Sequence, residues 1–197
     1  MELREQLLAA TVRVVTEQGW RGATTRRIAE AAGVNEVTLF RHFGSKDTLI
    51  REAMHWNAER APIPLLPAEP RDPRRELIEW AQQHYAHLID VRDHIRRMIG
   101  EFELRPDVED WPRRVPKHLA SMLEEYLERM RERGLARGDW QPRAAASLLL
   151  GTLFADAISR DLMPDHLPSP AADAPRQYVE LFLTAIGYEK SRSQKCV

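Results

Sequence analysis

Residues 24–48, TTRRIAEAAGVNEVTLFRHFGSKDT, hold this chain to one local arrangement: two short helices meeting at a tight turn. Thr24 or Thr25 can cap the first helix, Ile28 and Ala29 face inward, and Ala32 closes it. Gly33 then supplies a left-handed residue that any side chain would make costly. Ala29, four positions earlier, is small enough for two helices to cross steeply, Val34 plugs the core beside the glycine, and Asn35 can cap the second helix. In that helix Leu39 and Phe43 turn inward, whereas Glu36, Val37, Thr38, Arg41 and His42 do not. This is a helix-turn-helix pattern whose second helix leaves side chains free for a DNA groove. An αα corner of an ordinary bundle is the competing reading of the stretch alone.

The flanking residues resemble the TetR family of bacterial transcriptional regulators. The head of that family ends in a phrase like T-L-Y-x-H/Y-F-x-S-K-x-x-L, and this chain reads Thr38-Leu39-Phe40-Arg41-His42-Phe43-Gly44-Ser45-Lys46-Asp47-Thr48-Leu49. Upstream, a phrase like x-G-x-x-x-T-T-x-x-I-A is matched by Gly19, Thr24, Thr25, Ile28 and Ala29, so the resemblance covers residues 3–54. It implies an all-α chain of about nine helices, with a three-helix helix-turn-helix head at 1–54 and a larger helical-bundle body at 55–197 for ligand binding and dimerisation. The function implied is a ligand-responsive repressor, released from a near-palindromic double-stranded operator by a small, largely hydrophobic effector. Two departures concern the operator. Phe40 replaces the more usual Tyr, losing a phenolic phosphate contact while keeping the ring's packing, and Glu36 and Val37 replace basic, small or glycine residues. Glu36 can accept from cytosine N4, and Val37 can touch a thymine methyl.

Charge narrows how such a head would bind. The chain of 197 residues carries a net charge of −1; residues 1–51 hold eight Lys and Arg against six Asp and Glu, and the rest hold 21 against 24. DNA binding must therefore depend on a few placed cations. With 43% hydrophobic residues there is material for a sizeable core. The lone Cys196 excludes a disulfide framework or a cysteine metal cluster, and neither a run of 18 apolar residues nor a signal-like N-terminal segment occurs. The expectation is a cytoplasmic chain with no membrane partner and no cofactor.

Thirteen prolines punctuate the sequence, mostly between segments of helical period. Leu3, Leu7, Ala10 and Val14 stripe a first helix, with Trp20 beneath the turn after Gly19. Ser45 caps a fourth helix running to Arg60, and the proline-rich segment after it marks the boundary to the body. Residues 74–104 are helical in period, with a break expected near Arg92 or Asp93; further helices are expected at 113–133, closed by Gly134, at 143–162 and at 176–187.

Thr38, Arg41 and His42 are candidates for base or phosphate contact, and Thr24, Thr25, Arg26 and Lys46, at helix starts, for phosphate. An effector site would draw on Trp80, His84, Met98, Phe102, Met122 and Tyr126, although such residues at helical spacing are more often plain core. Its position is expected where it can move the fourth helix relative to the body. The 143–162 helix is apolar nearly all round and must be covered on both sides, which together with the last helix suggests a homodimer contact through Leu149, Leu153, Tyr178 and Phe182, or simply core. His84, His87 and His94 share a helix face, but no further ligand can be named for a metal. No Ser/His/Asp set, glycine-rich phosphate loop or HExxH occurs, so catalysis has no support; the rival class is an all-helical enzyme or small-molecule carrier with a structural N-terminal helix pair.

Overall fold

Caps, prolines and glycines set where the helices begin and end. The computed structural model describes residues 2–60, 64–104 and 111–189, with the backbone alone at 58, 98, 101–104 and 111–114. Among the described residues there are eight α-helices: α1 Leu3–Gly22, α2 Thr25–Ala32, α3 Glu36–Phe43, α4 Lys46–Arg60, α5 Pro73–Leu104, α6 Trp111–Glu132, α7 Pro142–Ser159 and α8 Ala174–Ala185. Short 3-10 turns lie at Pro164–His166 and Ala171–Asp173, and a β-bridge joins Ala136 to Tyr188. The break expected near Arg92 is not there; α5 runs through it. Contacts divide the chain into two compact units, residues 1–62 with 93–115, and residues 63–92 with 116–197. The whole of α4 thus belongs to the first unit, as does the C-terminal part of α5.

In the first unit α1 packs on α2 and α4. Leu7, Leu8 and Val15 of α1, Ile28 and Ala29 of α2, Leu39 of α3, and Leu49 and Ile50 of α4 are all buried in one cluster. Each large aliphatic side chain so buried contributes roughly 1.5–3 kcal/mol. Leu3, expected in the same stripe, is exposed. Gly19 (φ 70°, ψ 174°) kinks α1 and lets Trp20 turn into the core. Two cations brace this kink: Arg97 donates to the Thr16 carbonyl (2.7 Å) and Lys46 to the Trp20 carbonyl (2.9 Å).

In the second unit the start of α5 is held by Glu76, which reaches back to the backbone N–H groups of Arg71 (3.1 Å) and Asp72 (3.0 Å) and accepts from the Tyr126 hydroxyl of α6 (2.6 Å). α6 ends at Gly134 (φ 67°), the left-handed position that glycine occupies without strain. α7 turns Ala145, Ala146, Leu149, Leu153 and Ala157 inward and packs on α8, which contributes Val179, Phe182 and Leu183. Leu148 and Phe154 of α7 and Leu181 of α8 stay exposed.

Candidate nucleic-acid interface

The helix pair at 24–43 is built from short-range bonds. The Thr24 side chain caps α2 by accepting from Arg27 N (3.3 Å). Gly33 closes it in the left-handed region (φ 67°, ψ 30°), and Val34 N reaches the Ala29 carbonyl (3.0 Å) across the turn. Asn35 Oδ1 then accepts both Thr38 N (2.8 Å) and the Thr38 hydroxyl (2.9 Å), which caps α3 and fixes its direction. Side-chain caps of this kind are worth ~1 kcal/mol each. The Ser45 hydroxyl does the same for α4, accepting Thr48 N (3.0 Å).

With Leu39 and Phe43 buried, the outer face of α3 presents Val37, Phe40, Arg41 and His42. Val37 is 75% exposed and Phe40 45% exposed. The expectation that the Phe40 ring keeps a packing role is therefore corrected: its position on the helix points it outward, away from the cluster that Leu39 and Phe43 join. Arg41 makes no hydrogen bond or ion pair with any described residue, so its guanidinium is available to an anion. His42 tilts against the Phe43 ring at 6.2 Å.

Several other sequence candidates already have partners. The Thr25 hydroxyl donates to Glu36 Oε2 (2.6 Å), tying the start of α2 to the start of α3. Thr38 is held by Asn35, and Lys46 spends its ammonium on the Trp20 carbonyl. Arg26 pairs with Glu30 (2.9 Å), and that bond, aided by the carboxylate's charge, raises the guanidinium pKa. Both partners are open to water, so the pair is weakly held. The Thr25–Glu36 bond depends on how α2 and α3 cross and the Lys46–Trp20 bond on where α1 kinks, and no local pattern announces either.

The effector candidates lie in the second unit where they are described. Trp80 is buried, donates its indole N–H to the Pro64 carbonyl (3.0 Å) and stacks on His84 with ring centroids 5.6 Å apart. Burial, with a smaller contribution from His87, pushes the His84 pKa down to about 4, so the imidazole is neutral near pH 7. His84 is 6% exposed, and no hydrogen bond to a described residue satisfies it. Tyr126 is fully buried on Glu76, Met122 is half-buried, and the side chains of Met98 and Phe102 lie outside the described residues. Among the described residues no group of three His, Cys, Asp or Glu could hold a metal ion, and no helix is long and apolar enough to cross a membrane.

The residues expected at a dimer contact lie mostly inside this chain. Leu149, Leu153 and Phe182 are buried within the chain itself, and Tyr178, half-buried, donates to Asp156 Oδ2 (2.6 Å). A helix apolar all round has no phase from which to choose its outer face. That face carries Gly151 together with Leu148 and Phe154, the last two each one position away from an expected residue. Asp156, 1% exposed, was not singled out in the sequence. Its carboxylate also accepts from Tyr85 (2.7 Å) and from Nε (2.6 Å) and Nη2 (2.5 Å) of Arg160. A lone carboxylate in the last turn of the otherwise apolar α7, four residues before an arginine, was the available signal.

Two family models match the chain: bacterial regulatory proteins of the tetR family over residues 7–53, and the C-terminal domain of AefR-like transcriptional repressors over residues 76–187. The chain is 27% identical to the HTH-type transcriptional regulator YvkB of Bacillus subtilis over 131 residues, 66% of this chain and 69% of that one. Its fold is similar to that of a TetR-family transcriptional regulator of Mesorhizobium loti (TM-score 0.77, 20% identity, 94% and 96% of the two chains). It is also similar to FadR of Bacillus subtilis, solved in complex with stearoyl-CoA (TM-score 0.66, 19% identity, 92% and 98%). At those identities the structures speak for the fold.

Proposed function

The chain belongs to the TetR family of bacterial regulatory proteins and is a helix-turn-helix transcriptional regulator, and from that premise we propose that it acts as a homodimeric repressor. It holds a near-palindromic operator through α3 and releases it when a small, largely hydrophobic molecule enters the second unit. The observation that carries the reading is the outer face of α3: Val37, Phe40, Arg41 and His42 stand clear of the core beyond a turn that Gly33 alone makes without strain. A helix so placed enters the major groove with its N-terminal residues toward the bases. Thr24 and Arg26, at the start of α2, meet phosphates, where the helix N-terminus adds backbone donors.

One eight-residue helix reads too few base pairs to specify an address, and a two-fold pair of heads doubles the count. Support for pairing comes from Leu148, Phe154 and Leu181, exposed on packed helices that one chain leaves uncovered. Support for an apolar effector comes from the Trp80–His84 stack, where a neutral, largely buried imidazole fixes the polar end of an otherwise hydrophobic molecule. The similarly folded FadR, solved with stearoyl-CoA, supports a ligand with a long acyl chain in such a body. Coupling is reciprocal: the effector weakens operator binding by the factor by which operator weakens effector binding.

Selection of duplexes from a randomised pool by the purified chain tests this reading. It yields two half-sites related by a two-fold axis and spaced by about one helical turn or a multiple of it. Recovery of single, unpaired sites, or no enrichment at all, overturns it.

A further inference from the structure

We propose that base readout by this chain is apolar: Val37 and Phe40 pack on thymine C5-methyl groups, and Glu36 reads no base. The inference rests on the placement of α3 in the major groove. Val37 is the second residue of α3, in the part of the helix nearest the bases, and Phe40 follows three positions later. Residues so spaced share a helix face with their Cβ atoms about 5–6 Å apart. The rise between stacked bases is about 3.4 Å, so the pair spans one to two base-pair steps. Both side chains stand in water, at 75% and 45% exposure, and neither joins the apolar cluster of the head. In the major groove the one methyl group on offer is that of thymine, which projects toward the protein beyond the base edge.

Glu36 is placed differently. It is half-buried, and its Oε2 accepts the Thr25 hydroxyl at 2.6 Å, so the carboxylate faces α2. Reading cytosine N4 would require that bond to be given up while a negative charge stayed close to phosphates. Glu36 accordingly holds the two helices in register, and discrimination falls to the methyl contacts.

The test uses the full chain and a duplex recovered from a randomised pool, with thymine replaced by uracil one position at a time. The exchange removes one methyl and keeps every hydrogen-bonding group. Wild-type affinity should fall about four-fold at each contacted thymine, the worth of one buried methyl, at one or two positions per half-site. Val37→Ala should erase the loss at one of those positions and Phe40→Ala at another; both side chains are exposed, so both variants fold. Glu36→Gln should leave base preferences unchanged in a repeated selection. Equal affinity for thymine and uracil duplexes, undiminished uracil sensitivity in both variants, or a cytosine preference lost in Glu36→Gln overturns the inference while the DNA-binding reading stands. Failure of the wild type to retard any selected duplex overturns that reading and the inference with it.

Discussion

Removing the Asp156 carboxylate should be the most damaging single change in the second unit. Burial alone would raise its pKa, but hydrogen bonds from Arg160, Tyr178 and Tyr85 outweigh that cost and lower it, so the group is ionised in the fold. Burial and the bond to Asp156 in turn push the Tyr85 hydroxyl up to about 12. Asp156→Ala strands two hydroxyls and the Arg160 guanidinium, whose side chain is only 14% exposed. Breaking a buried pair from one side costs roughly 3–5 kcal/mol. A domain of this size shifts its Tm by about 2–4 °C per kcal/mol, so Asp156→Ala should melt roughly 6–20 °C below the wild type. Thermal unfolding followed by circular dichroism measures it, and Asp156→Leu combined with Arg160→Met, which removes both charges, should recover much of the loss. The linkage has a definite sign. The folded pKa lies below the unfolded value of about 3.9, so the stabilisation is complete above that pH and is lost as pH falls through the folded value. Unfolding of Asp156→Ala within about 1 kcal/mol of the wild type would refute the reasoning.

The depressed His84 pKa works through the same linkage in a higher window: the unfolded state takes up a proton first, so stability is complete above 6.5 and declines as pH falls toward 4, by up to about 3 kcal/mol. His84→Phe should flatten the 4–6.5 part of a pH series of denaturant midpoints, and an unchanged slope would assign the decline to other groups. Leu148→Glu or Leu181→Glu should give a folded monomer in sedimentation that no longer binds operator, whereas a charge at Leu149 should damage the fold itself, because Leu149 is 2% exposed. Gly33→Ala places a Cβ in open space but at φ +67°, so it should cost about 1–2 kcal/mol from backbone strain alone, measurable in the same melts.

What the sequence made legible was what neighbouring residues decide. Thr24, Gly33 and Asn35 fix both ends of the turn through bonds spanning a few residues, and α2 and α3 lie within a residue or so of where those signals put them. What stayed hidden depends on distant pairings. Glu36 reads as a groove-facing carboxylate until Thr25, eleven residues earlier, is brought against it, and Lys46 reads as a phosphate anchor until the kink at Gly19 aims the Trp20 carbonyl at it. In α7, Leu148, Leu149 and Leu150 are equivalent to any periodicity argument, and only packing on α8 settles that Leu149 is inside and Leu148 outside. Asp156, seven residues after Leu149 and on the same face, is held inside by Tyr85, Tyr178 and Arg160, two of them distant in sequence.

The most direct measurement of the central claim is the affinity of purified chain for its selected duplex, beside a scrambled duplex of the same length, in the wild type and in Arg41→Ala. Arg41 is exposed on α3 with no partner among the described residues, so its loss leaves the fold intact and removes a contact to DNA alone. The account predicts a specific, salt-sensitive complex in the wild type and, with Arg41 holding a phosphate, a complex in Arg41→Ala that is weaker on every sequence and has a salt slope reduced by about 1. Equal affinity of the wild type for the selected and scrambled duplexes, or an Arg41→Ala variant that binds as tightly as the wild type, would contradict it.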